Sequence, residues 1–162
     1  MAITATSYGL NHDAAFTGMV ADGQVANIVS KINDDTATVA YGKGVVRSGE
    51  KGFKAATASS AAGDFVGVLV RELNRSYADG ATFGAPVDRP ASVLTAGVIW
   101  VTVVETVAVG DAAFLRVGET QTGDFANAAG ESTTLSVAIP GAKFLTAATA
   151  GGLAKLSLVV GG

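Results

Sequence analysis

Short runs of β-branched residues, broken about every 8–12 residues by glycine or aspartate, constrain this fold more than any other sequence feature. The chain has 162 residues, of which 42 are Val, Ile or Thr and only 12 are Leu or Met. β-branched side chains are stiff at their first torsion and fit a pleated sheet better than a helix. The 21 glycines are nearly twice the average share of about 7%. The pattern therefore predicts many short strands joined by tight turns.

The alternation of apolar runs and turn residues predicts about eight strands. These strands are predicted over residues 25–32, 39–46, 65–73, within 92–109, and over 112–117, 133–140, 143–147 and 153–160. No long amphipathic helix connects them, so the pattern does not favour a parallel α/β sheet. The predicted class is all-β, a single-domain antiparallel β-sandwich or barrel with a jelly-roll-like arrangement.

Three regions complete the predicted strand map. Pro86 and Pro90 exclude a central strand around them, because proline cannot donate to a ladder. The stretch 92–109 fits one long bent strand or two short strands equally well. Residues 48–63 are predicted to be a connection, within which 55–62 is the best short helical candidate.

The N-terminal residues 1–23 lack both a helical and an alternating period. We predict that they form an extended N-terminal arm and that residues 24–162 form the β domain. Scattered apolar residues, Ile3, Tyr8 and Phe16, are candidate anchors of this arm on a neighbouring surface. The alternative, a terminus that orders weakly on its own domain, stays open.

Composition excludes several function classes. The chain has no cysteine and one histidine, so disulfides, thiolate zinc sites and sites needing two imidazoles are excluded. A net charge of −3 with scattered basic residues argues against a nucleic-acid partner. No secretory signal and no membrane-spanning apolar run are visible, so we predict no membrane partner. No cofactor or metal motif is present, so no cofactor is predicted.

Two pairs of titratable residues are candidates for a catalytic or metal site. His12-Asp13 is the one histidine–carboxylate pair, but adjacent positions rarely point the same way and no nucleophile motif accompanies it. Asp34-Asp35 could ligate a hard cation, although Asn-Asp-Asp is common turn chemistry. No combination of residues assembles a nucleophile, a base and an oxyanion site, so the protein is predicted not to be an enzyme.

Polar residues beside the predicted strands have structural explanations. Three Gly-Asp pairs are favoured as turns rather than metal ligands: Gly63-Asp64, Gly110-Asp111 and Gly123-Asp124. Arg71, Glu72 and Arg75 follow a strand, where they form either a solvated edge guard or an intersubunit salt bridge.

The order of the apolar segments resembles a known family. The segments that carry the resemblance are Phe65-Val66-Gly67-Val68-Leu69-Val70-Arg71-Glu72, Phe83-Gly84-Ala85-Pro86-Val87, Gly97-Val98-Ile99-Trp100-Val101, Val107-Ala108-Val109-Gly110-Asp111-Ala112-Ala113-Phe114-Leu115-Arg116, Ile139-Pro140-Gly141-Ala142-Lys143-Phe144 and Gly151-Gly152-Leu153-Ala154-Lys155-Leu156. In that order they resemble the structural cement (decoration) proteins of tailed bacteriophage capsids, over about residues 25–160.

The resemblance implies a non-catalytic virion protein, synthesised in the host bacterial cytoplasm. It implies binding to the outer surface of the mature icosahedral head, at junctions between major capsid subunits, where it stabilises the shell. The implied partners are the major capsid protein and further copies of this chain, as a homotrimer or homodimer. Candidate partner-contact residues are Ile3, Tyr8, Phe16, Arg71 and Arg75.

Two other functions remain open. Another virion structural subunit, such as a tail tube or head fibre component, would share this composition and turn density. A carbohydrate-binding β-sandwich is less favoured, because such modules present aromatic rings for stacking. Trp100 lies within an apolar run, where core packing is the expected role.

Overall fold

A computed structural model describes residues 15–21, 25–73 and 81–158. In this part of the chain there are eleven strands and two short 3₁₀ helices. The strands are β1 (Asn27–Asn33), β2 (Val39–Ala40), β3 (Gly44–Ser48), β4 (Gly52–Ala55), β5 (Phe65–Leu69), β6 (Gly84–Ala85), β7 (Pro90–Thr102), β8 (Ala112–Arg116), β9 (Phe125–Ala126), β10 (Ser136–Phe144) and β11 (Leu153–Leu158). The 3₁₀ helices span Ala62–Asp64 and Ser132–Thr134.

Five strands close into a ring in the order β1-β4-β3-β5-β7, because β1 pairs with both β4 and β7. The pairings are antiparallel except for β1 and β4, which run parallel through Ile32 and Asn33. β2 and β6 form a separate two-stranded ladder. The amide of Asn33 links that ladder to the ring by donating to the Ala85 carbonyl at 2.9 Å.

The 13-residue strand β7 connects the ring to a second set of strands. Its first part pairs with β1 and β5, and its second part, from Gly97 to Thr102, pairs with β11. β10, β8 and β9 follow in order, and Val103 returns to Phe125 through a parallel bridge. Gly97 lies where β7 passes from one set to the other, with φ of +127°, a conformation that side-chain-bearing residues rarely adopt.

The core consists of two clusters on opposite faces of shared strands. Val45, Leu69 and Val93 face the ring interior, whereas Val46 and Leu94 pack outward against the second set of strands. Side chains alternate along a strand, so the parts of β3, β5 and β7 that contribute to both clusters are buried on both faces. This explains why those parts occur in the sequence as adjacent apolar residues.

The predicted single all-β domain is confirmed, with one difference: the ladder of β1 and β4 is parallel. Within the described residues, no helix is long and apolar enough to cross a membrane. The stretch 92–109 contains one long strand, β7, which resolves the alternative left open by its apolar pattern.

Several predicted element boundaries are wrong. Residues 39–46 contain two strands, because the chain turns at Gly42 with φ of +79°. The helical candidate 55–62 is wrong, because residue 55 ends β4, residues 56–61 form a turn and only residue 62 enters a short 3₁₀ helix; the connection 48–63 thus contains β4. β4 begins at Gly52, where a Cβ atom would clash with the Asp34 carboxylate, so this strand needs a residue that strand propensity disfavours.

The predicted strands 133–140 and 143–147 form one strand, β10. Its register against β8 shifts between Ala138 and Lys143. Pro140 and Gly141 lie within that shifted stretch, which lacks regular pairing with β8. A bulge of this kind tolerates proline inside a strand, and the sequence pattern treats it as a break.

Candidate contact surface

Residues 15–21 lie along the second part of β7 in the same chain. The amides of Gly18 and Ala21 donate to the carbonyls of Trp100 and Val98 at 2.7 and 2.8 Å, and the Trp100 amide donates to the Met19 carbonyl at 2.9 Å. This part of the predicted arm 1–23 is therefore held by backbone hydrogen bonds to its own domain. Residues 1–14 and 22–24 lie outside the described residues, and the division at residue 23 stays a prediction.

Two glycines allow this segment to approach the turn between β2 and β3. Gly18 and Gly42 both have φ of +79°. A Cβ atom on Gly42 would clash with the Thr17 hydroxyl and lie 2.7 Å from the Gly18 nitrogen. On the other side of the segment, the Arg71 amide donates to the Gly18 carbonyl at 2.7 Å. The backbone contact is thus tight on both sides.

The docked segment brings together two of the predicted contact residues. The guanidinium carbon of Arg71 lies 4.6 Å from the centre of the Phe16 ring and 4.8 Å from that of Phe83. Both distances are within the range of cation–π attraction. Phe83 packs edge-on against Tyr41 at 5.0 Å, which connects this stack to the ring core. Phe16 remains 44% exposed, so the stack is available at the surface.

An open groove adjoins the stack. It is lined by Ala15, Phe16, Thr17, Arg71, Trp100, Thr102 and Leu153. Lys155, the register partner of Trp100 on β11, places its ammonium 5.4 Å from the centre of the indole ring. We call these residues, with Phe83 and Lys155, the Arg71 groove.

The expected core role of Trp100 is wrong. Along β7, Ile99 and Val101 enter the core cluster, so the alternating residues Trp100 and Thr102 face the other side of the sheet. Trp100 is half-buried there and lines the groove. Thr102, which lies two residues after Trp100 and so on the same face, was the one polar signal in this run, because residues 98–101 are apolar on both faces.

Two ion pairs, which were not predicted, hold the turn between β8 and β9. Lys43 Nζ lies 2.8 Å from Asp124 Oδ1, and Arg116 Nη2 lies 2.8 Å from Glu105 Oε1. The buried Arg116 also donates from Nη1 to the Thr134 carbonyl at 2.7 Å. Burial raises the pKa of the Asp124 carboxyl above its ordinary value, and hydrogen bonding and charge attraction from Lys43 only partly offset this.

The aspartates of the predicted turns accept hydrogen bonds from nearby groups. Asp64 Oδ2 accepts from the Ala61 amide at 2.8 Å, and Asp35 Oδ2 accepts from the Ala55 amide at 2.8 Å. Hydrogen bonds from the Ala108 amide and the Asn127 side chain lower the pKa of Asp111 below its ordinary value. Among the residues the structure describes, no three His, Asp or Glu side chains are grouped as a metal site would require.

The remaining candidates are only partly placed. Ile3, Tyr8 and Arg75 lie outside the described residues, as does His12, and their roles stay predictions. Glu72 does not simply face solvent, because its Oε1 accepts from the Ser92 amide at 3.0 Å. This contact ties the chain beyond β5 to β7.

The fold is shared with a virion protein. A chain of a solved structure described as the capsid of Myoviridae phage XM1 superimposes with a TM-score of 0.75 at 16% sequence identity. The similarity covers 98% of each chain. Among curated proteins, none matches this chain.

Residues 3–159 match the family described as structural cement protein (E217 gp24/Pam3 gp6). The chain belongs to this family, and the resemblance found in the order of its apolar segments is confirmed. A phage capsid structural role follows from that membership.

Proposed function

We propose that this protein binds the outer surface of the mature icosahedral phage head at junctions between major capsid subunits and stabilises the shell. Membership of the cement family supports the capsid role. The observation that carries the contact itself is the half-exposed Phe16 ring stacked on Arg71 beside Trp100. Aromatic residues and arginine contribute most of the energy at protein–protein interfaces. The proposed role needs no catalysis and no cofactor.

Stabilisation would come from repetition of a modest contact. A homodimer or homotrimer that spans a junction binds several capsid subunits at once, and linked contacts give avidity far above that of one. Ile3 and Tyr8 would add anchors beyond the described start of the chain. Ala15, the first described residue of the chain, lines the Arg71 groove.

Binding to heads that lack this protein tests the proposal. Purified protein is added to such heads, occupancy is measured by cryo-electron microscopy, and the temperature at which the heads release DNA is recorded. We expect density on the outer surface at subunit junctions and a higher release temperature. Density on the tail or a fibre, or no density at all, would contradict the proposal.

Two variants separate the arm from the groove. Deletion of residues 1–14 removes Ile3 and Tyr8 but leaves the hydrogen-bonded segment 15–21. We expect this variant to fold with reduced occupancy, whereas Phe16→Ala reduces occupancy with the arm intact. Light scattering of the unmodified protein measures whether it is a dimer or a trimer, and a monomer would contradict the proposed oligomer.

A further inference from the structure

We propose that the Arg71 groove binds a carboxylate-bearing side chain of the major capsid protein, with Arg71 as its hydrogen-bonding partner. This inference rests on the proposed function and specifies the chemistry of the capsid site. The groove would take a glutamate or aspartate whose aliphatic stem lies against Phe16 and Trp100.

The guanidinium of Arg71 is held in an orientation that suits anion binding. Its guanidinium contacts the Phe16 and Phe83 rings, and within the described residues no carboxylate lies in ion-pair range of it. The guanidinium N–H groups of Arg71 also donate no hydrogen bond to another described residue. Arginine has five N–H donors that lie in one plane. Rings that contact the faces of this plane leave the N–H groups at its edge able to donate to a partner. A planar, bidentate acceptor such as a carboxylate matches that edge.

The charge of the groove favours an acidic partner. Arg71 lines it and Lys155 lies over Trp100, whereas none of the lining residues that the structure describes is acidic. The phosphates of a nucleic acid are a weaker match, because the whole chain carries a net charge of −3. A protein carboxylate uses the aromatic walls as well as the cations, and a charge pair shielded by such walls is screened less by salt than an exposed pair.

The orientation of Arg71 is fixed before binding. Its backbone amide is held by Gly18, and its side chain is held by two rings, one of which packs on Tyr41. Ordering a long side chain on binding costs about 0.5–1.5 kcal/mol. Because Arg71 is already ordered in the free protein, most of this cost is avoided on binding and the affinity for the partner is higher.

Binding of charge variants to heads lacking the protein tests the proposal. We expect Arg71→Gln to weaken binding by at least about tenfold, because it leaves the partner's carboxylate unpaired. Arg71→Lys should fall between it and the unmodified protein, since lysine keeps the charge but not the planar fork. Arg47→Gln removes the same charge at an exposed position of β3 in a different surface pocket, and should bind within twofold of the unmodified protein. All variants must show the thermal unfolding of the unmodified protein.

Carbodiimide cross-linking identifies the occupant. This reagent joins an ammonium group to a contacting carboxylate, so Arg71→Lys bound to heads should cross-link through position 71 to an Asp or Glu of the major capsid protein. A cross-link to another copy of this chain, or to residues 1–14 of its own chain, would overturn the proposal. So would equal binding and equal salt dependence of Arg71→Gln and the unmodified protein. Failure of the unmodified protein to bind heads would overturn the proposed function itself and this inference with it.

Discussion

Replacing Gly42 by alanine should release the segment that carries Phe16. The backbone of Gly42 has φ of +79°, where an alanine costs about 1–2 kcal/mol. Its Cβ atom would also clash with Thr17 and lie 2.7 Å from the nitrogen of Gly18. Both neighbours belong to the docked segment, so the clash is relieved by moving residues 15–21 away from the turn.

The cost of that movement follows from the hydrogen bonds it breaks. They are the four backbone bonds Gly18 to Trp100, Ala21 to Val98, Trp100 to Met19 and Arg71 to Gly18. Each contributes about 1 kcal/mol net. With the backbone cost at Gly42 included, Gly42→Ala is expected to lower the free energy of unfolding by about 5–6 kcal/mol when the segment leaves, and to expose the Trp100 indole.

Gly49→Ala is the matched control. Gly49 has φ of +59°, but a Cβ atom there meets no other atom within 4 Å. It should lose only the conformational cost of about 1–2 kcal/mol. Urea unfolding followed by the fluorescence of the single tryptophan gives both free energies, and hydrogen exchange reports protection of the Trp100 amide. Equal destabilisation of the two variants, with the Trp100 amide still protected in Gly42→Ala, would refute the docking interpretation.

Three further predictions concern the core and the ion pairs. Because burial raises the folded pKa of Asp124 above 3.8, the stability it contributes is present at low pH and is lost as the pH rises through that folded pKa. The unfolding free energy of the unmodified protein, minus that of Asp124→Asn, should therefore fall in urea titrations as the pH rises above about 3.8; a difference that does not change with pH would contradict this. Glu105→Gln leaves the charge of Arg116 buried and unpaired, and should cost about 1–3 kcal/mol, most of which Arg116→Met in the same chain should restore. Leu94→Ala empties a fully buried site and should cost about 2–5 kcal/mol, whereas Val109→Ala, at 68% exposure, should change stability by less than about 0.5 kcal/mol.

The fold class followed from local information, but the closure of the ring did not. β-branched runs such as those of β5 and β7 bury side chains on both faces, and that pattern is visible in the sequence. The parallel pairing of Ile32 with Gly52 depends instead on Gly52 fitting beside Asp34. No propensity rule encodes such a contact, because it exists only after two distant segments meet.

The contact surface was predicted in part. Phe16 and Arg71 were selected separately, as an arm anchor and as a strand-end charge, and the structure places them in contact. Phe83 and Trp100 were missed as members of the same surface. Phe83 lies in a loop with no periodicity, and Trp100 lies in a run whose apolar residues on both faces hide its orientation. The role of the surface in binding the capsid stays a prediction.

The placement of this surface on β7 bears on how a cement protein works. β7 contributes to both core clusters, and the same strand holds residues 15–21 through Trp100 and Val98. A contact surface built on a strand that is hydrogen-bonded along both edges has little freedom to lose on binding, so each contact costs less entropy. Where an oligomer binds several capsid subunits at once, the smaller entropic cost applies at every contact. The free-energy differences then add, so their effects on the binding constant multiply. A change that loosens residues 15–21 without unfolding the domain should therefore reduce the free energy of binding to heads by more than it reduces the free energy of unfolding.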